Sequence, residues 1–111
     1  MKKIVILKGL PGSGKSTWAL EELKKHPGIF KRINKDDLRA MLDGGRHSKS
    51  NERFVLELRD YLIIQGLEFG NSIIVDDTNL NPIHEEKIRQ LVSAWNAHRE
   101  IQRAEVEVKF F

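Results

Sequence analysis

One stretch near the N-terminus constrains the fold more than any other part of the sequence. It begins with KKIVILKG, whose apolar, mostly β-branched run IVIL predicts a buried strand over residues 3–8. The strand leads into the loop GLPGSGKS at 9–16, and then into KSTWALEELKK, where Trp18, Ala19 and Leu23 recur at helical spacing over 15–25. Strand, glycine-rich loop and helix in this order predict the first unit of a parallel α/β sheet.

The loop matches the pattern of a glycine, four residues, and then Gly-Lys-Ser. Its glycines let the backbone form a concave nest of N–H groups, and the following helix adds the positive end of its dipole. Such a surface fits the phosphates of ATP, with Lys15 reaching the β- and γ-phosphates and the Ser16 hydroxyl ligating Mg²⁺. A glycine-rich loop also occurs as a plain turn, but the flanking strand and helix favour a nucleotide site. The residues predicted to bind ATP are Gly9, Gly12, Ser13, Gly14, Lys15, Ser16 and Thr17.

Apolar patterns predict that strands and helices alternate through the rest of the chain. Strands are expected at 29–34, at NSIIVDD and at AEVEVKFF, and helices at KDDLRAMLDGG, at the long segment SNERFVLELRDYLIIQGLEFG and at NPIHEEKIRQLVSAWNAHRE. We expect Ser50 or Asn51 to cap the long helix and Asn81 to cap the last one. The core-facing side of the long helix is predicted to be formed by Phe54, Leu58, Tyr61, Leu62 and Gln65, widened by Val55 and Leu67.

Two pairs of acids follow the second and third predicted strands. In a parallel sheet the carboxyl ends of the strands share one crevice, so Asp36-Asp37 and Asp76-Asp77 are expected near the phosphate loop. The first pair is interpreted as carrying a base, Asp36, that accepts the proton of an attacking hydroxyl. The second pair is interpreted as holding or orienting Mg²⁺. Capping of the next helix is the alternative for one acid of each pair.

Three polar side chains close to these acids are further candidates. Arg39 lies three residues beyond Asp36, where it would bind a phosphate of the acceptor, pair with an acid such as Asp77, or stay exposed on its helix. Thr78 and Asn79 suit acceptor contacts, or else only the turn before the next helix.

Composition limits the classes of protein to consider. The 111 residues suffice for one domain, the absence of cysteine excludes disulfides and thiolate metal sites, and no apolar run is long enough to span a membrane. We therefore expect a cytoplasmic protein without a membrane partner. A net charge of +3 and a basic cluster between Lys31 and Arg53 are compatible with a polyanionic partner, and equally with a solvated surface.

Three motifs together carry a resemblance to a known family. GLPGSGKSTWA, INKDDLR and VDDTNLNP, in this order and spacing, resemble the 5′-hydroxyl polynucleotide kinases, most closely the kinase half of phage polynucleotide kinase-phosphatases. The resemblance implies a three-layer P-loop NTPase fold with a parallel sheet of about four strands in the order 2-3-1-4. It also implies transfer of the ATP γ-phosphate to 5′-OH ends of single-stranded DNA or RNA. Lys15, Asp36 and Arg39 would be catalytic, and Ser16 and Asp77 would hold the metal. Arg39, Asp77, Thr78 and Asn79 would bind the acceptor, with Asp77, Thr78 and Asn79 also supporting Arg39.

The resemblance leaves rival functions open. We expect residues 1–111 to form one P-loop kinase domain that lacks the family's C-terminal lid, with its arginine, and its last strand. Loss of such an arginine lowers the rate of phosphoryl transfer by a factor of the order of 10³. Arg99 and Arg103 are expected on the opposite side of the sheet and are not substitutes. The alternatives are a kinase for a small metabolite or nucleoside on the same fold, and an ATP-binding domain that is catalytically incomplete.

Overall fold

The computed structural model describes the whole chain, from Met1 to Phe111, as four strands and four helices. The strands form one parallel sheet in the order β2-β3-β1-β4, with Ile4 of the central strand β1 paired to Ile73 on one side and Val106 on the other. The predicted three-layer α/β fold and its strand order are confirmed. In chain order the elements are β1 (Lys2–Lys8), α1 (Lys15–Lys25), β2 (Phe30–Ile33), α2 (Lys35–Asp43), α3 (Lys49–Glu68), β3 (Ser72–Val75), α4 (Pro82–Asn96) and β4 (Ala104–Phe110).

Side-chain alternation along β1 builds the two faces of the sheet. Ile4 and Ile6 join the larger core cluster, which includes Ile63 of α3 and Ile88 of α4. Val5 and Leu7, two residues apart, point to the other face of the sheet and pack in a smaller cluster with α1. All of these β1 side chains are buried, which explains why the strand is a continuous apolar run rather than an alternating one. Helices therefore cover both faces of the sheet.

The connections place the N-termini of α3 and α4 at one edge of the sheet. α3 ends just before β3 begins, and α4 starts after β3 ends and finishes before β4 begins. Both helices therefore run antiparallel to the strands, side by side, and both begin at the carboxyl edge of the sheet. None of the helices is both long and apolar enough to cross a bilayer.

The buried face of α3 differs from the predicted one. Phe54 and Tyr61 are 58% and 61% exposed, whereas Arg59, which no pattern marked as apolar, is only 1% exposed. The core face is rotated because α3 packs on the sheet through positions four residues apart, and Arg59 occupies one of them with its charge paired to Asp60. The residues of α3 that are buried are Val55, Arg59, Ile63, Gly66 and Leu67.

Two helix caps also differ from the predicted residues. The Asp37 N–H donates to the side chain of Asn34, and the Asn51 N–H donates to Ser48, so the caps lie before the residues proposed for them. Neither Asp36 nor Asp37 caps α2, which removes capping as the explanation of that acidic pair. Asn81 caps α4 as predicted.

Candidate active site

A polar cavity of about 500 Å³ lies at the carboxyl edge of the sheet. Its walls come from the three segments that follow β1, β2 and β3, as the topology predicts for an open α/β sheet. No apolar side chain of the core reaches it. The lining residues are Pro11, Gly12, Gly14, Lys15, Ser16, Thr17, Asn34, Lys35, Asp36, Arg39, Asp76, Asp77 and Thr78.

The glycine-rich loop forms one wall, and its conformation needs glycine. Gly12 and Gly14 have φ of 80° and 96°, values that L side chains rarely adopt. Gly14 is the N-cap of α1 and no side chain caps this helix, so the first N–H groups of the helix remain available to an anion.

Lys15 is buried inside this loop. Its Nζ donates to the carbonyl oxygens of Gly9 and Leu10, both at 2.9 Å, and lies 3.4 Å from the Ser13 hydroxyl. A Cβ at Gly9 would lie 2.8 Å from the Ser13 Oγ, so this position also has no room for a side chain. The loop therefore presents backbone N–H groups and one ammonium group to a shared space, which fits a polyphosphate.

Asn79 fastens the loop to the sheet instead of lining the cavity. It is 1% exposed, and its side-chain amide donates to the Leu7 carbonyl at 2.8 Å and to the Val75 carbonyl at 3.3 Å, which joins the ends of β1 and β3. The Gly9 N–H donates to the Thr78 carbonyl at 3.1 Å beside it. Of the two predicted acceptor contacts in this turn, Thr78 lines the cavity, whereas the position of Asn79 indicates a positioning role.

Arg39 is fixed by two acids on different helices. Its Nη1 donates to Asp36 at 2.7 Å, while its Nε and Nη2 donate to the two carboxylate oxygens of Glu52 at 2.6 Å each. The Arg39 guanidinium keeps the pKa of Glu52 below its ordinary value, chiefly through these hydrogen bonds. The alternative pairing of Arg39 with Asp77 is wrong, because Asp77 bonds to the Lys35 N–H. The expectation that Asp77, Thr78 and Asn79 support Arg39 is also wrong, because the Arg39 side chain bonds only to Asp36 and Glu52.

Glu52 is the site residue that the sequence did not reveal. It lies in the first turn of α3, 13 residues from Arg39, in a segment where the pattern emphasised only helix formation. The one sequence feature that could have pointed to Glu52 is its position in the first turn of a helix that starts at the carboxyl edge. An acid at that position is equally typical of a helix whose dipole it stabilises, so it does not by itself indicate a site residue.

Asp76 and Asp77 each keep one carboxylate oxygen without a protein partner. Asp76 is 1% exposed, its Oδ2 accepts from Arg32 at 2.7 Å, and its Oδ1 is free. Asp77 is 9% exposed, its Oδ1 accepts from the Lys35 N–H at 2.8 Å, and its Oδ2 is free. Burial raises the pKa of Asp77.

Buried oxygen atoms without a partner are costly unless a cation or another ligand satisfies them. Both acids line the same cavity as the Ser16 hydroxyl. Carboxylate and hydroxyl oxygens are the ligands that Mg²⁺ prefers, so the residues present fit this ion. Asp76 joins Asp77 as a candidate.

The two arginines expected to lie far from the crevice do so. The Arg99 guanidinium stacks 3.9 Å from the centre of the Trp95 ring and bonds to Glu68, near the amino end of the sheet. Arg103 accepts a hydrogen bond from the N–H of Lys2 through its carbonyl oxygen, at the start of β1. Neither side chain lines the cavity.

Comparisons with known proteins agree with this geometry. A family model described as an AAA domain matches residues 4–108. An L-seryl-tRNA(Sec) kinase of Methanococcus maripaludis is 38% identical over 81 aligned positions, and the match covers 68% of this chain and 30% of that protein. A protein of Autographa californica nuclear polyhedrosis virus, provisionally named a bifunctional polynucleotide kinase/RNA ligase, is 28% identical over 111 positions, covering 87% of this chain and 15% of that protein.

Two solved structures contain chains of the same fold. One is the structure of a Pnkp1/Rnl/Hen1 complex, with a TM-score of 0.81 and 27% identity, and the other is that of the Pnkp1/Rnl/Hen1 RNA repair complex, with a TM-score of 0.74 and 26% identity. Each match covers 99% of this chain, which spans 35% and 33% of the matched chains. Because the family model covers nearly the whole sequence and the loop geometry agrees with it, the chain belongs to the AAA domain family and is a P-loop domain.

Proposed function

We propose that this domain transfers the γ-phosphate of ATP to the 5′-hydroxyl end of single-stranded DNA or RNA. The observation that carries the proposal is one cavity in which the phosphate loop, Asp36 and Arg39 meet. The similarity to a protein provisionally named a polynucleotide kinase/RNA ligase and to chains of an RNA repair complex supports a nucleic acid acceptor and a role in repair. We place this activity in the cytoplasm, in agreement with the composition.

Asp36 is suited to act as the base. Its side chain is 84% exposed at the mouth of the cavity, and Arg39 bonds to only one of its two oxygens. In the proposed reaction, the acceptor hydroxyl transfers its proton to Asp36 as its oxygen bonds to the γ-phosphorus. The bond from that phosphorus to the β,γ-bridging oxygen breaks, and ADP leaves with the electron pair.

Lys15 and Arg39 supply positive charge at two ends of this reaction. Lys15 would bind the β- and γ-phosphates, where charge grows on the leaving group. Arg39, held by Glu52, would bind the phosphate of the acceptor and direct its hydroxyl toward the γ-phosphorus. Mg²⁺, bound by Ser16 with Asp76 and Asp77, would neutralise phosphate charge and orient the triphosphate.

The test is transfer of labelled γ-phosphate to a single-stranded 5′-OH oligonucleotide in the presence of Mg²⁺, with Asp36→Asn and the control Asp43→Asn. Both acids lie on α2, but Asp43 is exposed at its end and lines no part of the cavity. We expect Asp36→Asn to lose transfer by about 10²-fold or more while ATP binding is retained. Equal transfer by Asp36→Asn and Asp43→Asn would contradict the assignment of the base.

A second candidate acceptor is a hydroxyl outside the polynucleotide 5′ end. The observation favouring it is the 38% identity to a protein named for phosphorylating a seryl group on tRNA. Transfer to an aminoacylated tRNA, a nucleoside or a sugar, but not to the 5′-OH oligonucleotide, would support this candidate. ATP binding without transfer to any acceptor would indicate an incomplete catalytic domain.

A further inference from the structure

A second cavity opens beside the catalytic one and plays no part in the reaction described above. It is a groove of about 720 Å³ between the N-terminal halves of α3 and α4, the two parallel helices that both begin at the carboxyl edge of the sheet. Its walls include Lys49 and Arg53 from α3 and Lys87 from α4. The positive ends of two helix dipoles therefore lie at the same end of this groove.

The groove is more positive than the numbers of acidic and basic residues on its walls suggest, because the acids are already neutralised. Each acid on its walls already has a basic partner: Glu52 bonds to Arg39, Glu57 to Arg53 and Asp60 to Arg59. Lys49 and Lys87 form no ion pair in the structure and are exposed. Two unpaired lysines on neighbouring helices therefore line the same groove.

Arg59 adds a rigid cation to the groove. It is 1% exposed; its Nε and Nη2 donate to Asp60 at 3.1 and 3.0 Å, and its Nη1 lies 3.1 Å from the Nδ1 of His84. Burial, together with the nearby cations Lys35 and Arg59, lowers the pKa of His84 to about 4. His84 is therefore neutral at pH 7 and accepts through Nδ1. Asp60 and His84 therefore hold the Arg59 guanidinium in place in the wall of the groove.

The groove adjoins the catalytic cavity, and the ion pair of Arg39 with Glu52 lies between the two. Arg39 lines the cavity and Glu52 lines the groove, and their side chains are joined by the two hydrogen bonds of 2.6 Å. A chain with its 5′ end at Asp36 would thus reach the groove directly past Arg39.

We propose that the groove between α3 and α4 binds the phosphodiester backbone of the acceptor strand on the 3′ side of the phosphorylated nucleotide, with Lys49 and Lys87 contacting phosphates. The proposal rests on the proposed function, since it supposes a polynucleotide acceptor. Phosphates spaced along a strand match cations spaced along a groove, and this supplies affinity without reading the base sequence.

The experiment measures binding of a single-stranded 5′-OH oligonucleotide of about ten nucleotides, labelled at its 3′ end, by fluorescence anisotropy over a series of salt concentrations. The variant is Lys49→Gln/Lys87→Gln. The control is Lys24→Gln/Lys25→Gln, which removes the same charge from exposed positions at the end of α1. Thermal unfolding of each variant verifies that it is folded.

We expect the groove variant to bind more weakly and with a shallower salt dependence. Loss of two phosphate contacts reduces the magnitude of the slope of log K against log salt by about 1.4. If the variant and the wild type bind equally at about 1 M salt, the variant therefore binds roughly 25-fold more weakly than the wild type at about 0.1 M. The control should retain the wild-type slope.

Three outcomes would overturn the inference. They are equal slopes for the groove variant and the wild type, displacement of the oligonucleotide by polyglutamate of equal charge at equal concentration, and no binding by the wild type. Phosphoryl transfer to a nucleoside 3′-phosphate, which is too short to enter the groove, is measured separately. Its presence would leave the proposed catalytic roles standing even when the groove assignment fails.

Discussion

Replacing Glu52 by Gln should loosen Arg39 without removing any residue that contacts the substrates. Glu52 accepts from both Nε and Nη2 of Arg39, and an amide retains only one acceptor oxygen and no charge. A hydrogen bond to a charged group contributes about 1.5–3 kcal/mol. Since the Glu52 side chain is 36% exposed, solvent screening reduces this to about 1–1.5 kcal/mol of stability.

Because Arg39 is held less firmly in Glu52→Gln, this variant should also transfer phosphate more slowly. If the loss falls on the transition state, about 1.4 kcal/mol corresponds to roughly tenfold in kcat. Glu107→Gln on β4 is the control, because Glu107 is 51% exposed, its ion pair with Lys3 spans 3.3 Å, and it lines neither the cavity nor the groove. We expect the control to change stability by less than about 0.5 kcal/mol. The measurements are urea unfolding and steady-state transfer to an oligonucleotide.

The pH dependence gives an independent measure of the same ion pair. Arg39 lowers the pKa of Glu52 below its ordinary value of 4.5, so the stability that the pair contributes is present above that value and is lost as pH falls through the lower value. The gap in unfolding free energy between wild type and Glu52→Gln should therefore be constant near neutrality and shrink under acid conditions. A gap independent of pH, or Glu52→Gln and Glu107→Gln equal in stability and transfer, would refute the argument.

Three further predictions concern the loop, the core and the groove. Lys15→Ala should weaken ATP binding by about 10- to 100-fold, measured by calorimetry, since it removes a charge-assisted donor from the loop; wild-type affinity would contradict the assignment of the loop. Gly66→Ala should destabilise the domain by about 1–3 kcal/mol in urea, because its methyl group would overlap Ile73, which is fully buried; an unchanged midpoint would show that the core can adjust. The pKa of His84 is about 4 in the folded protein against 6.5 as its ordinary value, so the unfolded state binds more protons between these values and stability falls as pH drops from 6.5 to 4. This difference is worth at most about 3 kcal/mol, and about 1–2 kcal/mol after screening for a half-buried group; His84→Gln should remove that fall, and parallel unfolding curves for variant and wild type would be the contrary result.

The parts of the fold that the sequence predicted depend on local patterns. The run IVIL, the loop after it and the helix starting at Lys15 are contiguous, and the strand-end rule then places Asp36 and Asp77 at the same edge of the sheet. The helix caps were harder to predict, because the side chains of several adjacent residues can accept a hydrogen bond from the same backbone N–H. Only the backbone geometry selects Asn34 and Ser48.

The parts that the sequence did not predict depend on contacts between distant elements. The partner of Arg39 is on another helix, so nothing near Arg39 in the chain distinguishes Glu52 from Asp77 as the acid that fixes it. The rotation of α3 depends on how the helix packs on the sheet, and Arg59 is buried there because Asp60 and His84 satisfy its guanidinium. A hydropathy pattern contains no information about the hydrogen bonds that make the burial of Arg59 possible.

The central position of β1 has a consequence for the order of events in folding. β1 is the first of the four strands in the sequence, yet its neighbours in the sheet are the third and fourth, β3 and β4. Closing such long loops is slow and comes late. The nucleotide loop is attached to the end of β1 and fastened by Asn79, which follows β3, so its ordering requires that β3 has joined the sheet. Nucleotide binding therefore reports that β1 and β3 have paired, and a nascent chain that ends before β3 is expected to have no affinity for ATP.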